Sequence, residues 1–235
     1  MQVLELWRYP VKSLGGERLD RTEVTALGLL GDRAWGLRDQ ATGTVLTARR
    51  QPELLFASAR LAGPDQVVVT LPDGTETDAD DALSRWLGRD VRLVRAATSE
   101  DGGTYEAPLD FEHDDNWVSW QGPPGAWHDS AKSRISLVST ATIGRWDRRR
   151  FRANVLLDGN GEDDLVGREL TLGSARLAVQ KRIDRCVMVT RPQPELERDL
   201  DVLRTIQRER QSFLAIGALI TSPGTVAVGD VVQPD

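Results

Sequence analysis

The stretch from residue 174 to residue 190 reads SARLAVQKRIDRCVMVT. Its first part, Ser174 to Arg182, is a strand-like run with Arg176–Val179 at its centre. Arg185 and Cys186 follow the run, and the β-branched residues after them predict a further strand over Val187–Thr190. The stretch therefore predicts β structure that leads directly to the only cysteine of the chain.

Towards the N terminus, strand-like runs alternate with turn signals such as Gly15-Gly16 and Pro72-Asp73-Gly74. An amphipathic helix is predicted over Asp78–Leu87, because its apolar residues share one helical face and Gly88 follows it. The first hundred residues thus have the pattern of an antiparallel sheet or a small barrel. The predicted strands are Val3–Arg8, Arg18–Thr25, Ala34–Arg38, Val45–Ala48, Leu54–Leu61, Val67–Leu71 and Val91–Arg95.

Residues 96–130 lack periodicity and contain three tryptophans, which predicts a long ordered loop between two lobes. Beyond the loop we expect helices from about Thr140 to Arg148 and around Glu195–Arg210, and a closing β-hairpin around Pro223-Gly224. Further strands are predicted at Ser136–Val138, Ala153–Leu157 and Glu169–Leu172. The predicted fold class is mainly β with a few helices (α+β), divided into an N-terminal domain (1–97), a linking loop (98–132) and a C-terminal domain (133–235).

Composition narrows the range of functions. The chain has 235 residues and a formal net charge of −6, which argues against a general nucleic-acid or anionic-membrane surface. The opening residues MQVLELWR carry charges too early for a signal peptide, and no segment is apolar enough to span a membrane. We therefore expect a cytoplasmic protein with neither nucleic acid nor membrane as its partner. A single cysteine excludes an internal disulfide and a structural zinc or iron–sulfur site built on several cysteines.

Cationic residues in the N-terminal half lie at predicted strand ends and in the following loops. Lys12 and Ser13 could hold an anion by charge and by a hydroxyl hydrogen bond. Arg33 and Arg49 add further cations at strand ends. Taken singly, each of these groups is also explained by a solvated turn or a surface ion pair.

A run of arginines precedes the predicted strand Ala153–Leu157. Such a run commonly marks a solvated helix end, where cations complement the helix dipole. Arg152 and Asn154 differ from the rest, because alternate residues of a strand share a face. A guanidinium beside an amide suits a phosphate or a polar heterocycle. The run consists of Arg145, Arg148, Arg149, Arg150 and Arg152.

Cys186 has two interpretations. The first interpretation is an inert core thiol, because free cysteines are among the most buried residues. The other is a reactive or metal-binding thiolate, which the cationic neighbours Lys181, Arg182 and Arg185 would favour. A Cys–His dyad would require the tryptophan-rich loop, which carries both histidines of the chain (His113 and His128), to fold over Cys186.

In their order and spacing, these segments resemble a MOSC protein, the family built around the C-terminal domain of molybdenum-cofactor sulfurase, preceded by its usual N-terminal β-barrel domain. The resemblance covers nearly the whole chain. It is carried by Tyr9-Pro10-Val11-Lys12-Ser13-Leu14, Gly28-Leu29-Leu30-Gly31-Asp32-Arg33-Ala34-Trp35, Thr47-Ala48-Arg49, Phe151-Arg152-Ala153-Asn154-Val155, Arg185-Cys186 and the closing Pro223-Gly224-Thr225-Val226-Ala227-Val228-Gly229-Asp230.

The resemblance implies two β-barrel lobes with the molybdenum cofactor (molybdopterin) in the cleft between them and Cys186 as the ligand of the metal. It assigns Arg152, Asn154 and Arg185 to the cofactor from the second lobe. The residues that would grip the phosphate and the pterin from the first lobe are Lys12, Ser13, Arg33, Thr47 and Arg49. Ser139 and Thr142 stand where the family often places further polar contacts, and pyridoxal phosphate binding is associated with the family as a whole.

The chain departs from the better-known reductases of the family after the cysteine. Those proteins carry Thr-x-Asp-Pro-x-Thr-Gly, whereas here Thr190 is followed by Arg191-Pro192-Gln193-Pro194. Because this aspartate is missing, the substrate side of the site cannot be carried over from those reductases. The chain also ends without the ferredoxin domain that some bacterial relatives carry, so we expect electrons from a separate ferredoxin- or cytochrome-type protein.

Three hypotheses remain open from the sequence. The first is a reductase of small N-hydroxylated compounds such as amidoximes, related to the mitochondrial amidoxime-reducing component. The second is a carrier, in which Cys186 bears a persulfide or the protein transfers the cofactor to another enzyme. The third is a protein without the cofactor whose cleft binds another anion.

Overall fold

The computed structural model describes residues 1–96, 102–110, 112 and 116–234. Strands dominate these residues, so the mainly β prediction is confirmed. The α-helices of this part of the chain are α1 (Asp80–Leu87), α2 (Thr140–Ile143) and α3 (Leu200–Arg210). Within the same residues, no helix has the length and apolar character needed to cross a membrane.

The strands of the described residues are short except for two of ten residues each. In chain order they are β1 (Val3–Arg8), β2 (Glu17–Leu19), β3 (Arg21–Thr25), β4 (Gly28–Leu29), β5 (Trp35–Asp39), β6 (Ser58–Gly63), β7 (Gln66–Thr70), β8 (Glu76–Thr77), β9 (Val91–Arg95), β10 (Thr104–Pro108), β11 (Trp117–Gln121), β12 (Ile135–Ser139), β13 (Val155–Leu157), β14 (Glu169–Leu172), β15 (Ala175–Asp184), β16 (Phe213–Ser222), β17 (Gly224–Ala227) and β18 (Val232–Pro234).

The largest sheet combines both ends of the chain. Its order is β18-β14-β15-β16-β12-β13-β1-β2, with β12 and β13 parallel and β1 antiparallel to β13. Val3 and Leu6 of β1 therefore belong to the same core as Leu137, Leu157 and Leu177. Burying this apolar face is the main force that holds the N-terminal strands against the C-terminal half.

The last strands do not form the predicted hairpin. The strand β17 pairs with β3, with Gly224 opposite Val24 and Ala227 opposite Arg21. The hairpin prediction is wrong, because β17 belongs to the sheet β17-β3-β4 and β16 pairs with β15 and β12. The strand after Pro223 therefore takes the edge of an N-terminal strand instead. The predicted boundary at residue 97 stays a prediction, although strands on either side of it share sheets.

The N-terminal lobe has its own core, which includes Val11, Leu37, Leu54 and Val69. Two small sheets enclose it, β5-β9 and β6-β7-β8. The predicted strand Val45–Ala48 is wrong, since it is reduced to a single bridge between Val45 and Arg38. The predicted strand Leu54–Leu61 is a 3-10 turn (Pro52–Phe56) followed by β6, because Pro52 favours the first position of a helical turn.

The tryptophan-rich segment is more regular than predicted. Within residues 96–130, β10 and β11 form an antiparallel hairpin in which Tyr105 pairs with Trp120. The two rings pack edge to face at 5.9 Å, and Trp127 is almost fully buried. Cross-strand aromatic pairing thus gives this segment strands that hydropathy alone did not indicate.

Candidate functional site

A cavity of about 510 Å³ has walls from both the N-terminal lobe and the C-terminal half. It brings together residues that are far apart in the sequence, because β1 leads from the large sheet into the loop that carries Lys12 and Ser13. Eight of the sequence-predicted site residues line it: Lys12, Ser13, Arg33, Arg49, Arg152, Asn154, Arg185 and Cys186.

Cys186 lies two residues beyond the end of β15 and is half-buried. The predicted strand over Val187–Thr190 is wrong, because these residues form a 3-10 turn. The turn is closed locally: Val189 N donates to the carbonyl of Cys186 at 3.2 Å, and Thr190 Oγ1 donates to the carbonyl of Val187 at 2.8 Å. Since the turn leaves the thiol at the cavity wall, the structure favours a chemical role over inert core packing.

Two of the three cations that the sequence suggested for Cys186 have other partners. Lys181 pairs with Asp184 at 2.8 Å, and Arg182 stacks 4.6 Å from the ring of Phe213. Instead, Arg49 lines the same cavity and interacts electrostatically with the Cys186 side chain. Burial acts to lower the pKa of Arg49, but the negative partners of this guanidinium more than offset it and hold the pKa above its ordinary value.

Arg185, the residue before the cysteine, makes two hydrogen bonds to the backbone and keeps one hydrogen-bond donor free. Its Nε donates to Leu214 O at 2.7 Å and its Nη1 to Phe151 O at 3.0 Å. Its Nη2 is buried without a hydrogen-bond partner. Burial lowers the pKa of Arg185 to about 10, against the opposing charge of Cys186. A buried cationic donor without an acceptor is the kind of group that an anionic ligand satisfies.

Arg152 and Asn154 both reach the cavity, but they precede the strand β13 instead of sharing its face. Arg152 has a left-handed backbone (φ +52°), and its guanidinium lies 4.3 Å from the ring of Tyr9. Burial and the charge of Arg33 lower the pKa of Arg152 to about 10. The amide of Asn154 is already used by the protein, since Oδ1 accepts from Ser136 Oγ at 3.0 Å and Nδ2 donates to Trp7 O at 3.2 Å.

A carboxylate that sequence reasoning missed neutralises part of the cavity. Asp129 lies 2.7 Å from Lys12 Nζ and 2.8 Å from Arg49 Nη2. Lys12 is buried against the ring of Tyr105, 3.8 Å away, and burial lowers its pKa to about 8 although Asp129 acts in the opposite direction. Desolvation acts to raise the pKa of Asp129, but Arg49 and Lys12 act more strongly and hold it well below its usual range.

Three predicted residues lie outside the cavity. Thr47 is buried in the N-terminal lobe, where its carbonyl accepts from Gln51 N at 2.9 Å. Ser139 caps α2 by accepting a hydrogen bond from Thr142 N at 3.2 Å. Thr142 faces a separate groove along α2 and α3. The structure thus gives Ser139 a capping role within the fold, and Thr47, Ser139 and Thr142 are not among the residues that line the cavity.

Neither histidine is available as a partner of Cys186 among the residues that the structure describes. His128 lines the cavity, but its imidazole hydrogen-bonds with Leu27 O at 3.1 Å, and burial lowers its pKa to about 3. It is therefore neutral at physiological pH. His113 lies outside the described residues.

Arg150 is a second residue whose role sequence reasoning missed, because it was one member of an arginine run. Its side chain is buried and donates to the carbonyls of Val189, Arg191 and Glu197 at 3.2, 3.3 and 2.8 Å. The run is therefore not a uniform solvated helix end. Arg150 holds the segment after Cys186 from one side, while Arg185 holds Phe151 from the other.

The cavity carries a strong excess of positive charge in an acidic protein. Eight cationic residues line it: Lys12, Arg33, Arg49, Arg134, Arg150, Arg152, Lys181 and Arg185. Asp129 and Asp184 are the acidic residues among its described walls. Clustered guanidinium groups around a half-buried thiol suit a polar, negatively charged ligand that also offers sulfur or metal chemistry. No group of three or more His, Cys, Asp or Glu residues in the described chain could hold a metal ion without such a ligand.

The fold and the site define a class of protein: two β lobes that enclose a cationic cleft with one thiol in its wall. Comparison with known families gives this class its name. The MOSC N-terminal beta barrel domain matches residues 1–106 and the MOSC domain matches residues 126–233. The chain therefore belongs to the proteins that carry these two MOSC domains in succession, as the resemblance in the sequence indicated.

Curated relatives fall into two groups. The chain is 24% identical to human mitochondrial amidoxime-reducing component 1 over 98% of its own length and 82% of that protein. It is also 24% identical to the molybdenum cofactor sulfurase of Drosophila mojavensis over 94% of its length. It spans about a third of the length of the sulfurases it matches. A bovine amidoxime-reducing component 2 is 40% identical, but over 28% of the chain.

Among solved structures, the YUAD protein from Bacillus subtilis shares the fold. The match has a TM-score of 0.50, covers 98% of this chain and 93% of that one, and has 14% sequence identity. This similarity concerns the fold alone.

Proposed function

We propose that the protein binds the molybdenum cofactor in the cleft and reduces small N-hydroxylated compounds, with electrons from a separate donor protein. The observation that carries the proposal is the position of Cys186, half-buried in the wall of a cavity that is lined by eight cationic side chains. The full-length match to an amidoxime-reducing component supports a reductase. The cytoplasm remains the expected compartment.

The residues present fit the cofactor. Its phosphate is dianionic, and the buried Nη2 of Arg185 lacks an acceptor in the protein. Its pterin needs forked donors, which Arg152 and Arg33 can provide. Its metal is held by sulfur ligands, and Cys186 supplies a thiol in the cavity wall. A volume of about 510 Å³ suits a ligand of this size.

Each residue then has a defined task. Cys186 would ligate the metal, and Arg49, which interacts electrostatically with it, would keep a positive charge beside the sulfur. Arg152, Arg185 and Arg33 would hold the anionic and polar parts of the cofactor. When bound, the cofactor supplies a two-electron redox centre that can remove oxygen from a substrate. The chain itself positions the ligand and balances its charge.

The part of the site beside the substrate involves the segment after the 3-10 turn. Arg191 lies in this segment, where the better-known reductases have a different sequence, and its Nη2 donates to the carbonyl of Arg49 at 2.7 Å. This bond ties the segment to the N-terminal lobe. We therefore propose that substrate range is the property in which this protein differs most from those reductases.

The test compares wild type with Cys186→Ala after expression in a cofactor-competent host. We expect molybdenum in the purified wild type and turnover of an amidoxime when a ferredoxin or cytochrome system supplies electrons. Cys186→Ala should lose turnover and most of its metal. The control is Ser119→Ala, an exposed change on β11, which should alter neither. A wild type without molybdenum, or a mutant with unchanged turnover, would refute the proposal.

The matches to molybdenum cofactor sulfurases favour a second candidate, in which Cys186 carries a persulfide or the protein passes the cofactor on. A half-buried thiol in the cavity wall would allow either. This candidate predicts that intact-mass spectrometry finds one added sulfur atom on the wild type and none on Cys186→Ala. It also predicts no turnover with any electron donor.

A further inference from the structure

Tyr9 contacts a cavity arginine from each half of the chain but is not itself among the residues that line the cavity. It directly follows β1 and is buried. The guanidinium carbon of Arg152 lies 4.3 Å from the centroid of its ring, and that of Arg33 lies 5.3 Å from the same centroid. The proposed function uses both arginines, whereas Tyr9 has no task in it.

The backbone of Tyr9 supports the conformation of Arg33. Arg33 and Arg152 both have a left-handed backbone (φ +52°), which is uncommon for residues other than glycine. Arg33 N donates to Tyr9 O at 2.8 Å, and Tyr9 N donates to Oδ1 of the buried Asp32 at 2.8 Å. The other oxygen of Asp32 pairs with the Arg33 guanidinium. Backbone strain of this kind persists only where the surrounding structure enforces it.

The side chain of Tyr9 reaches the segment of Arg152 from the same position. Its hydroxyl donates to the carbonyl of Ala153 at 3.5 Å, and the carbonyl of Arg152 accepts from Arg33 Nη2 at 3.3 Å. Gly16 lies against the ring, since a Cβ on Gly16 would come within 2.6 Å of Tyr9 Cδ1. The ring is therefore fixed between the N-terminal turn and the residues that precede β13.

The ring of Tyr9 also counteracts a repulsion. Burial and then the charge of Arg33 lower the pKa of Arg152 to about 10, so the two guanidinium groups disfavour each other. The face of an aromatic ring is negative and attracts cations. Burial raises the pKa of Tyr9, although the nearby arginines act in the opposite direction. The hydroxyl therefore stays neutral, and the attraction comes from the ring and not from a phenolate.

We propose that Tyr9 is a positioning residue, whose ring holds Arg33 and Arg152 in place for one anionic ligand of the cleft. Arginines that are already ordered lose less side-chain freedom when the ligand binds, so the affinity is higher. This role rests on the proposed function only in assigning an anionic ligand to the cleft. A role confined to packing predicts instead that removal of the ring lowers stability and leaves the two guanidinium groups of the folded protein as ordered as before.

The first test needs no ligand. It measures ¹⁵N relaxation of the guanidinium Nε groups in the full chain without cofactor, with signals assigned by Arg33→Lys and Arg152→Lys. We expect order parameters near about 0.85 for both arginines in wild type and Tyr9→Phe, and below about 0.6 in Tyr9→Leu. Arg182, which stacks on Phe213, is the internal control and should not change. Unchanged order of both arginines in folded Tyr9→Leu would overturn the proposal.

A second variant separates positioning from a general loss of stability. Val69→Ala removes buried apolar atoms from the core of the N-terminal lobe, and Val69 is not among the cavity residues. It should lower the unfolding temperature without changing the order of Arg33 or Arg152. If Val69→Ala loosened the two guanidinium groups as much as Tyr9→Leu does, the effect would be general and the proposal would be wrong.

The next test measures binding, with inorganic phosphate as the probe and the cofactor-free chain titrated calorimetrically. Tyr9→Phe should bind within about twofold of wild type, and Tyr9→Leu about tenfold more weakly, the loss typical of one charge-assisted hydrogen bond. In the background Arg33→Met/Arg152→Met, Tyr9→Leu should cause no further loss, because no arginine remains for the ring to position. An equal loss in both backgrounds would contradict an action through the arginines.

A series of ring analogues keeps the test decisive if Tyr9→Leu fails to fold. Progressively fluorinated phenylalanines at position 9 retain the shape of the ring and weaken the negative potential of its face. Phosphate affinity and the order of Arg152 should fall stepwise along the series. A flat series would count against the proposal.

Cofactor-loaded protein shows which of the two proposals fails. If the cofactor is the anionic ligand, Tyr9→Leu should copurify with less of it than Tyr9→Phe. A wild type without molybdenum would refute the proposed function, while the relaxation and phosphate measurements would still support the role of Tyr9. Conversely, unchanged arginine order in folded Tyr9→Leu would refute that role even in a protein that reduces an amidoxime.

Discussion

Arg150 donates a hydrogen bond to the carbonyl of Val189 across 3.2 Å, and so joins the arginine run to the turn that follows Cys186. A second hydrogen bond joins the same two segments in the opposite direction, because Arg185, beside Cys186, donates to the carbonyl of Phe151 at 3.0 Å. The two segments that form the floor of the cleft therefore hold each other through buried guanidinium groups. Neither of these two contacts is an ion pair.

Arg150→Met should destabilise the protein because it leaves three inward-facing carbonyls without a donor. We expect the free energy of unfolding to fall by about 2–4 kcal/mol. Urea unfolding measures the change, with Arg145→Met as the control, because Arg145 belongs to the same run but is exposed. The control should cost less than about 0.5 kcal/mol. An equal loss in both variants would show that Arg150 has no special bracing role.

Gly28→Ala should disrupt the approach of the N-terminal turn to the segment before β12. Gly28 has φ +109°, and a Cβ on it would collide with the backbone carbonyl of Arg134. We expect a loss of more than about 2 kcal/mol, measured by thermal unfolding. Gly74→Ala is the matched control, since its φ is +85° but nothing lies within 4 Å of the added Cβ. Gly74→Ala should cost about 1 kcal/mol for the backbone strain alone.

Asp129→Asn should lower stability at neutral pH, because it leaves Lys12 and Arg49 without their anionic partner. The carboxylate side chain is 47% exposed, so solvent screening limits the expected loss to about 1–2 kcal/mol. Since the folded pKa of Asp129 lies below its ordinary value, its stabilisation is complete above about pH 4 and is lost as the pH falls further. Urea unfolding of both proteins should therefore give curves that converge in acid. Asp78→Asn, an exposed change, should show no such convergence.

Lys12 should make stability rise with pH in an alkaline window. Its pKa is lowered from 10.5 to about 8 in the folded protein, so the unfolded chain binds more protons between these values. Below about pH 8 the cost of burying the charged ammonium is fully present, and between about pH 8 and 10.5 it is relieved. Relative to Lys12→Met, the wild type should gain about 3 kcal/mol across this window. Parallel stability curves for the two proteins, measured by urea unfolding, would contradict the lowered pKa.

The C-terminal half should not fold without the first strands. A fragment of residues 126–235 lacks β1, which pairs with β13, and β3, which pairs with β17. It would expose the apolar face that Val3 and Leu6 cover. We expect no cooperative thermal transition by circular dichroism. The same fragment joined to residues 1–30 through a flexible linker should regain one, and a cooperative transition in the shorter fragment would show that the half is an independent domain.

The sequence predicted β15 and the site residues beside it because local signals act there. Alternating and β-branched residues favour strands, and a single cysteine between cations is conspicuous without any structure. Motif order then connected Lys12 and Arg33 with Arg152 and Cys186, and the structure places all four in one cavity. The turn over Val187–Thr190 was missed because β-branched residues also fit a 3-10 turn when a neighbouring hydroxyl closes it.

Sequence alone thus determined the mainly β class, the family and eight of the side chains that line the cleft, since these depend on residue type and order. Tertiary structure alone decided which charges remain available in the cleft. Asp129 neutralises Lys12 and Arg49 across 117 and 80 positions of the chain, and β17, near the C terminus, pairs with β3, near the N terminus. These contacts join residues that are distant in the sequence and come together only when the two ends of the chain form one sheet. Local sequence patterns do not specify such contacts.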